Sequence, residues 1–138
     1  MSHAVGMQVA DAMVRHPKLC PVDVTVGQVQ ALFRDLHVHA ALVVAAGQLV
    51  SVLERDDVGG LSNRAERAAP FGRLAGRTVP ATAPLDAIHR EMLSIGQRRL
   101  AVVDGDQHLL GLLCLKATST GFCSDRDVQA RASEGDSR

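Results

Sequence analysis

Aromatic side chains are scarce in this chain of 138 residues, with three Phe, no Tyr and no Trp. So few rings leave no platform on which single-stranded bases could stack. Charge of one sign is missing as well. Fifteen Lys and Arg face fifteen Asp and Glu, for a formal net charge of zero. A nucleic-acid surface needs a basic surplus, so no nucleic-acid partner is expected. No apolar run reaches the roughly 18 residues that a membrane-crossing helix requires, so no membrane partner is expected either. The opening stretch MSHAVGMQVADAM lacks the basic-then-apolar layout of an export signal. The three cysteines, Cys20, Cys114 and Cys123, form no C-x-x-C pair. An odd count suits a reducing compartment, and the apolar settings of Cys20 and Cys114 read as buried free thiols. The expected location is the cytoplasm.

What is present is an ordinary globular composition, 46% hydrophobic and 22% charged. The length fits one domain or two small halves that share a core. The pattern favours two halves, because the chain repeats itself. TVGQVQALFRDL (25–36) sets Val29, Leu32, Phe33 and Leu36 at helical spacing, with Thr25 and Gln28 spaced as a capping box. PLDAIHREMLSI (84–95) sets Leu85, Ile88, Met92 and Ile95 likewise, behind a Pro84 suited to a first turn. Each helix is followed by an apolar run, AALVV (40–44) or RLAVV (99–103), then turn residues, then a second run, LVSVL (49–53) or LLGLLCL (109–115). Each unit opens alike, KLCPVDV and RTVPATA, with Pro21 matching Pro80 at a spacing of about 59 residues. A solenoid needs at least about three copies. Two copies imply a pseudo-symmetric pair around one core.

Doubled and in this order, the helix, the RLAVVD strand and the LLGLL strand resemble a tandem pair of cystathionine β-synthase (CBS) domains, a Bateman module, over residues 8–118. The resemblance implies an α+β fold of two pseudo-symmetric repeats, each a small three-stranded sheet with two packed helices. Repeat one is placed at 8–58, a crossover linker at 59–67 and repeat two at 68–118. A polar tail, 119–138, is expected to be partly disordered. Members of the family usually carry proline where Leu42 and Ala101 stand.

The resemblance also gives meaning to the acidic run in LVSVLERDDV (49–58). In the family the third strand ends in Gly-h-x-Ser/Thr-x-x-Asp, whose hydroxyl and carboxylate face a cleft between repeats. The pattern falls on Ser51, Glu54 and Asp57 in repeat one, and on Gly111, Cys114 and Ala117 in repeat two. Asp57 keeps the carboxylate, whose two acceptor oxygens suit a ribose cis-diol. Glu54 replaces the hydroxyl and would repel phosphate. Residue chemistry alone also allows a plain reading, acids complementing the start of a solvated helix. His39, Arg98 and Arg99 precede the second strands, where the family aims His or Arg at ligand phosphates. Exposed charge at a strand entrance is the plain alternative. Adenine would lie between Leu19, Cys20, Leu42 and Val43.

His37 and His39 alternate on one strand face, but the sequence places no third ligand, so no metal is expected. The chain lacks G-K-[ST] phosphate-loop spacing and shows no nucleophile with its base, so no catalytic residue and no enzyme is expected. His89 reads as a surface residue. The expected function is a stand-alone regulatory module that binds AMP, ADP, ATP or S-adenosylmethionine between the repeats, with no further cofactor, and signals to a separate effector protein. The alternative is a degenerate structural or protein-interaction module with no nucleotide ligand. Helix faces carrying Ala31, Ala87 and Leu93 imply a homodimer, because Bateman modules commonly pair through their helices.

Overall fold

The computed structural model describes residues 6–116 and 121–123. Repeat one contains β1 (Leu19–Pro21), α1 (Val26–Leu32), β2 (Ala41–Ala45), β3 (Gln48–Leu53) and α2 (Arg55–Val58). Repeat two contains β4 (Thr78–Pro80), α3 (Leu85–Ile95), β5 (Arg99–Val103) and β6 (Leu109–Cys114). The strands form two three-stranded sheets, ordered β1-β2-β3 and β4-β5-β6. The two repeats are thus α+β, as expected.

The register shows how closely the halves correspond. β1 pairs in parallel with β2, Leu19 opposite Leu42, and β4 pairs in parallel with β5, Thr78 opposite Ala101. The antiparallel hairpins set Ser51 against Val43 and Gly111 against Val102. Both hairpins break register at the same place, between Val43 and Val44 and between Val102 and Val103. Leu19 therefore matches Thr78, and Ser51 matches Gly111 one residue later in phase, the extra residue lying in the second hairpin. Leu42 and Ala101, the positions of the usual family prolines, occupy matching central positions and are buried.

The opening segments are exchanged. Val9 N–H donates to Ala83 O (3.0 Å), and its match, Ala68 N–H, donates to Val24 O (2.9 Å). Val14 exchanges two backbone hydrogen bonds with Leu112 (2.8 and 2.9 Å), and Arg73 exchanges two with Val52 (3.1 and 3.3 Å). Val9 consequently packs in the core of repeat two, beside Val79, Leu85 and Met92. Ala68 packs in the core of repeat one, beside Val24, Val29 and Phe33. Each half completes the other's core, so neither 8–58 nor 68–118 is closed in space. The crossover supports this arrangement, with Glu66 O and Arg64 O accepting from Val26 and Gly27 N–H at the start of α1 (2.8 and 2.9 Å).

The sheets meet through Leu42, Leu49, Val52, Ala101 and Val103, which form a shared core. One tight contact there is handled oppositely in the two halves. Gly111 leaves room for Met13, since a Cβ on Gly111 would stand 2.6 Å from Val14 O and 2.7 Å from Met13 Sδ. At the matching contact the glycine is on the other partner, Gly72, and the side chain is Ser51, whose Oγ donates to Ala69 O (2.9 Å).

The helices bury Val29, Phe33 and Met92, with Ile88 half-buried. Thr25 and Gln28 make the expected capping box on α1. Two expected core positions turn outward. Leu36 is 79% exposed because α1 stops at Leu32. Asp35 then draws the backbone into a turn, accepting from His37 N–H (2.9 Å) and Val38 N–H (3.1 Å), which competes with helix continuation. Ile95 is 62% exposed on the outer face of α3, just before the left-handed cap at Gly96.

Leu115 bridges to Phe122, so Gly121–Cys123 lies against the end of β6. Residues 117–120 and 124–138, most of the expected tail, lie outside the described residues.

Candidate functional site

β3 drives its apolar residues into the core up to Leu53, and the chain then turns into α2 with Glu54 at the N-cap. Asp57 Oδ2 accepts from the Glu54 N–H at 2.7 Å, closing a capping box, and acids in a first turn complement the helix dipole. The acidic run therefore does begin a helix. It also does more. Arg77, preceding β4 in the other repeat, lies across it with only 5% of its side chain exposed. Its Nη1 donates to Asp57 Oδ2 (2.6 Å) and to Val52 O (2.8 Å). Its Nη2 donates to Asp57 Oδ1 (3.3 Å) and to Glu54 Oε1 (3.3 Å). The remaining Glu54 oxygen accepts from Gln97 Nε2 (2.9 Å), which also donates to Arg99 O (2.8 Å). Two acids of repeat one are thus bound to an arginine and a glutamine of repeat two.

Beside this network is a cleft of about 310 Å³, lined by His39, Glu54, Arg55, Asp56 and the segment Gly96–Arg99. It lies between the repeats, with the end of β3 on one side and the turn before β5 on the other. Arg55 is fixed by donation to Phe33 O and to Val38 O (2.9 Å), and its guanidinium lies 5.2 Å from the Phe33 ring centre. Arg99 is buried and donates to Leu115 O (3.2 Å). Arg98 Nε is buried and finds no acceptor among the described residues. Such a donor is costly to leave unmade, and it suits an acceptor brought by a ligand or a water.

Of the residues expected at the site, His39, Glu54, Arg98 and Arg99 line this cleft together. Asp57 stands next to it, but both carboxylate oxygens already accept from Arg77, so a ribose reaching Asp57 has to share them with a guanidinium. The expected adenine wall does not form there. Strand alternation sends Cys20 into the core of repeat one, where Val43 also lies, and leaves Leu19 half exposed. Leu42 is buried in the core shared by the sheets. Arg55, Asp56, Gly96, Gln97 and Arg77 were not anticipated. Arg77 carried a faint signal, a basic residue matching Lys18 just before the first strand of each repeat.

The matching place in repeat two differs. Cys114, the match of Glu54, is not a free thiol but is disulfide-bonded to Cys123. The segment 121–123 returns antiparallel to the end of β6 and brings the two sulfurs together. Among the three cysteines only Cys20 is free, and burial raises its thiol pKa, with Lys18 opposing. His89 is half-buried rather than exposed, packed edge-on to Phe122 with ring centres 5.1 Å apart.

A family model described as the CBS domain matches residues 9–58 and 77–117. The chain belongs to the CBS domain family. No curated protein matches it. Solved CBS structures share the fold at low identity. CBSX2 in complex with AMP is 20% identical with a TM-score of 0.68, covering 94% of this chain and 99% of that one. The CBS domains of a transcriptional regulator from Streptococcus pneumoniae are 18% identical with a TM-score of 0.65, covering 91% and 98%. The CBS pair of MJ0100, in complex with 5-methylthioadenosine and S-adenosyl-L-methionine, is 14% identical with a TM-score of 0.62, covering 94% and 98%. Within the described residues of this CBS pair, no helix is long and apolar enough to cross a membrane.

Proposed function

We propose that this CBS pair is a regulatory module of the cytoplasm. It binds an adenosine-containing ligand, AMP, ADP, ATP or S-adenosylmethionine, between its repeats and signals to a separate effector protein. The reading is one of binding and not of catalysis. The observation that carries it is the inter-repeat cleft, which His39, Glu54 and Asp56 of repeat one line together with Arg98 and Arg99 of repeat two. Its volume is at the small end of ligand sites, which run from about 300 to 1,000 Å³. The arginines and the buried Arg98 Nε suit phosphate oxygens, and the acids suit ribose hydroxyls or a cationic sulfonium. The AMP and S-adenosylmethionine held by the solved neighbours fit that chemistry. A ligand touching both walls biases the packing of one repeat on the other, and that shift is the signal.

Thermal shift and calorimetry with adenosine, AMP, ADP, ATP and S-adenosylmethionine test the reading. A ligand at 100 times its dissociation constant adds about 2.7 kcal/mol. No response to any of them at millimolar concentration overturns it. The second reading, a structural or protein-interaction module without nucleotide, would then stand. It is favoured by the commitment of Asp57 to Arg77 and by the loss of polar groups at Cys114. In either case we propose a homodimer joined through the outer helix faces, where Ala31, Ala87, Leu93 and Ile95 are exposed.

A further inference from the structure

The end of β6 is closed in a way that the end of β3 is not. β6 is the outer strand of its sheet, and its free edge is covered first by Val14, which pairs with Leu112. The next stretch of that edge is covered by Gly121–Cys123. Lys116 N–H donates to Gly121 O (2.8 Å), and Cys123 N–H donates to Cys114 O (2.7 Å). Phe122 packs against His89 and the core of repeat two. The disulfide sits beneath these contacts, with Cys114, Cys123 and Val14 forming one buried cluster beside Leu112. At the matching place in repeat one, Glu54 and Asp56 line the candidate cleft. Their counterparts are Cys114 and Lys116, the two residues that the returning segment covers.

We propose that the Cys114–Cys123 disulfide is a redox-controlled clasp. It holds Gly121–Cys123 over the β6 edge and keeps that edge covered. Besides the disulfide, the segment is held by two backbone hydrogen bonds and by the packing of the half-buried Phe122 on His89 and the edge of the repeat-two core, among the described residues. A short two-stranded pairing of that size is marginal without a covalent tie. The reductant is a dithiol. It delivers two electrons and two protons, the S–S bond breaks to give thiols at Cys114 and Cys123, and the dithiol leaves as its own disulfide. The segment then lifts, and the Cys114 carbonyl and Lys116 amide become available at an unpaired strand edge. The clasp does not depend on nucleotide binding.

The test compares oxidised and dithiol-reduced full-length protein by thiol alkylation and amide hydrogen exchange, with buried Cys20 as an internal reporter of the intact core. In the expected result Cys114 and Cys123 are alkylated only after reduction and Cys20 stays protected. Exchange at Lys116 and Cys123 accelerates by about tenfold or more, equivalent to about 1.4 kcal/mol of local opening. Cys123→Ser reproduces the reduced pattern without reductant. Cys114→Val, which keeps the buried site apolar, does the same should the serine variant fold poorly. Three results overturn the proposal. They are alkylation of Cys114 and Cys123 without reduction, exchange at 116 and 123 unchanged by reduction, and loss of Cys20 protection together with the clasp, which would mean global unfolding.

Discussion

Arg77 Nη1 lies 2.6 Å from Asp57 Oδ2, and this contact joins the start of one repeat to the end of the other. The pair is nearly dry, with 5% of the arginine and 16% of the aspartate side chain exposed. Removing one member of such a pair leaves an uncompensated charge, whereas removing both does not. Arg77→Met is expected to cost about 3 kcal/mol, and Asp57→Asn somewhat less, because its amide still has an oxygen to accept from Glu54 N–H. The double variant should recover much of the loss. Urea unfolding of the four proteins gives the coupling energy directly, and additive losses would show that the two side chains do not act as a pair.

Gly111→Ala should destabilise the protein by about 1–3 kcal/mol, since the new methyl meets a backbone carbonyl and Met13 Sδ. Met13 can yield and the Val14 carbonyl cannot, so Gly111→Ala combined with Met13→Ala should recover only part. Thermal denaturation of the single and double variants measures the difference. A neutral Gly111→Ala would mean that Val14 does not pair with Leu112.

For the candidate cleft, Arg98→Ala should weaken a phosphorylated adenosyl ligand about tenfold to a hundredfold, the effect of losing hydrogen bonds to a charged group worth roughly 1.5–3 kcal/mol. The same change should affect adenosine much less. Calorimetry with AMP and adenosine on both proteins separates the two, and an equal loss for both ligands would place the phosphate away from Arg98.

Asp104 gives a pH dependence of known sign. His108 N–H donates to its carboxylate, with further help from the Asp106 N–H and the His108 ring, and its pKa is held below the ordinary value. A depressed folded-state pKa contributes stability above the unfolded pKa, and that stability is lost as pH falls through the folded one. The stability difference between wild type and Asp104→Asn should be flat above about pH 5 and shrink below about pH 4. Acid titration followed by NMR at the 104–108 turn checks the sign.

The proposed dimer is tested by Leu93→Asp, which places a charge on the outer face of α3, where Leu93 is 47% exposed. Sedimentation at micromolar concentration should show a species of two chain masses for wild type and one for the variant. A wild type of one chain mass would remove the dimer.

The sequence by itself determined the elements, their doubling and most of their buried faces. These are local properties. A helix of 3.6-residue period shows its apolar stripe within a dozen positions, as Val29 and Met92 do, and Pro21 and Pro80 fix the phase of the repeat. The resemblance to CBS pairs, and not the residue pattern alone, also implied that His39, Glu54, Arg98 and Arg99 share a cleft, and the four line one together. The tertiary structure decided what those residues meet. Arg77 and Asp57 are twenty positions apart and carry no periodic mark, and only the exchange of opening segments brings the arginine onto the acids. Cys114 reads as a free thiol until Gly121–Cys123 pairs with the end of β6 and places Cys123 N–H on Cys114 O. Leu36 and Ile95 fit the helical stripe in sequence, yet both are exposed, because where a helix stops and which face is covered depend on the chain packed against it.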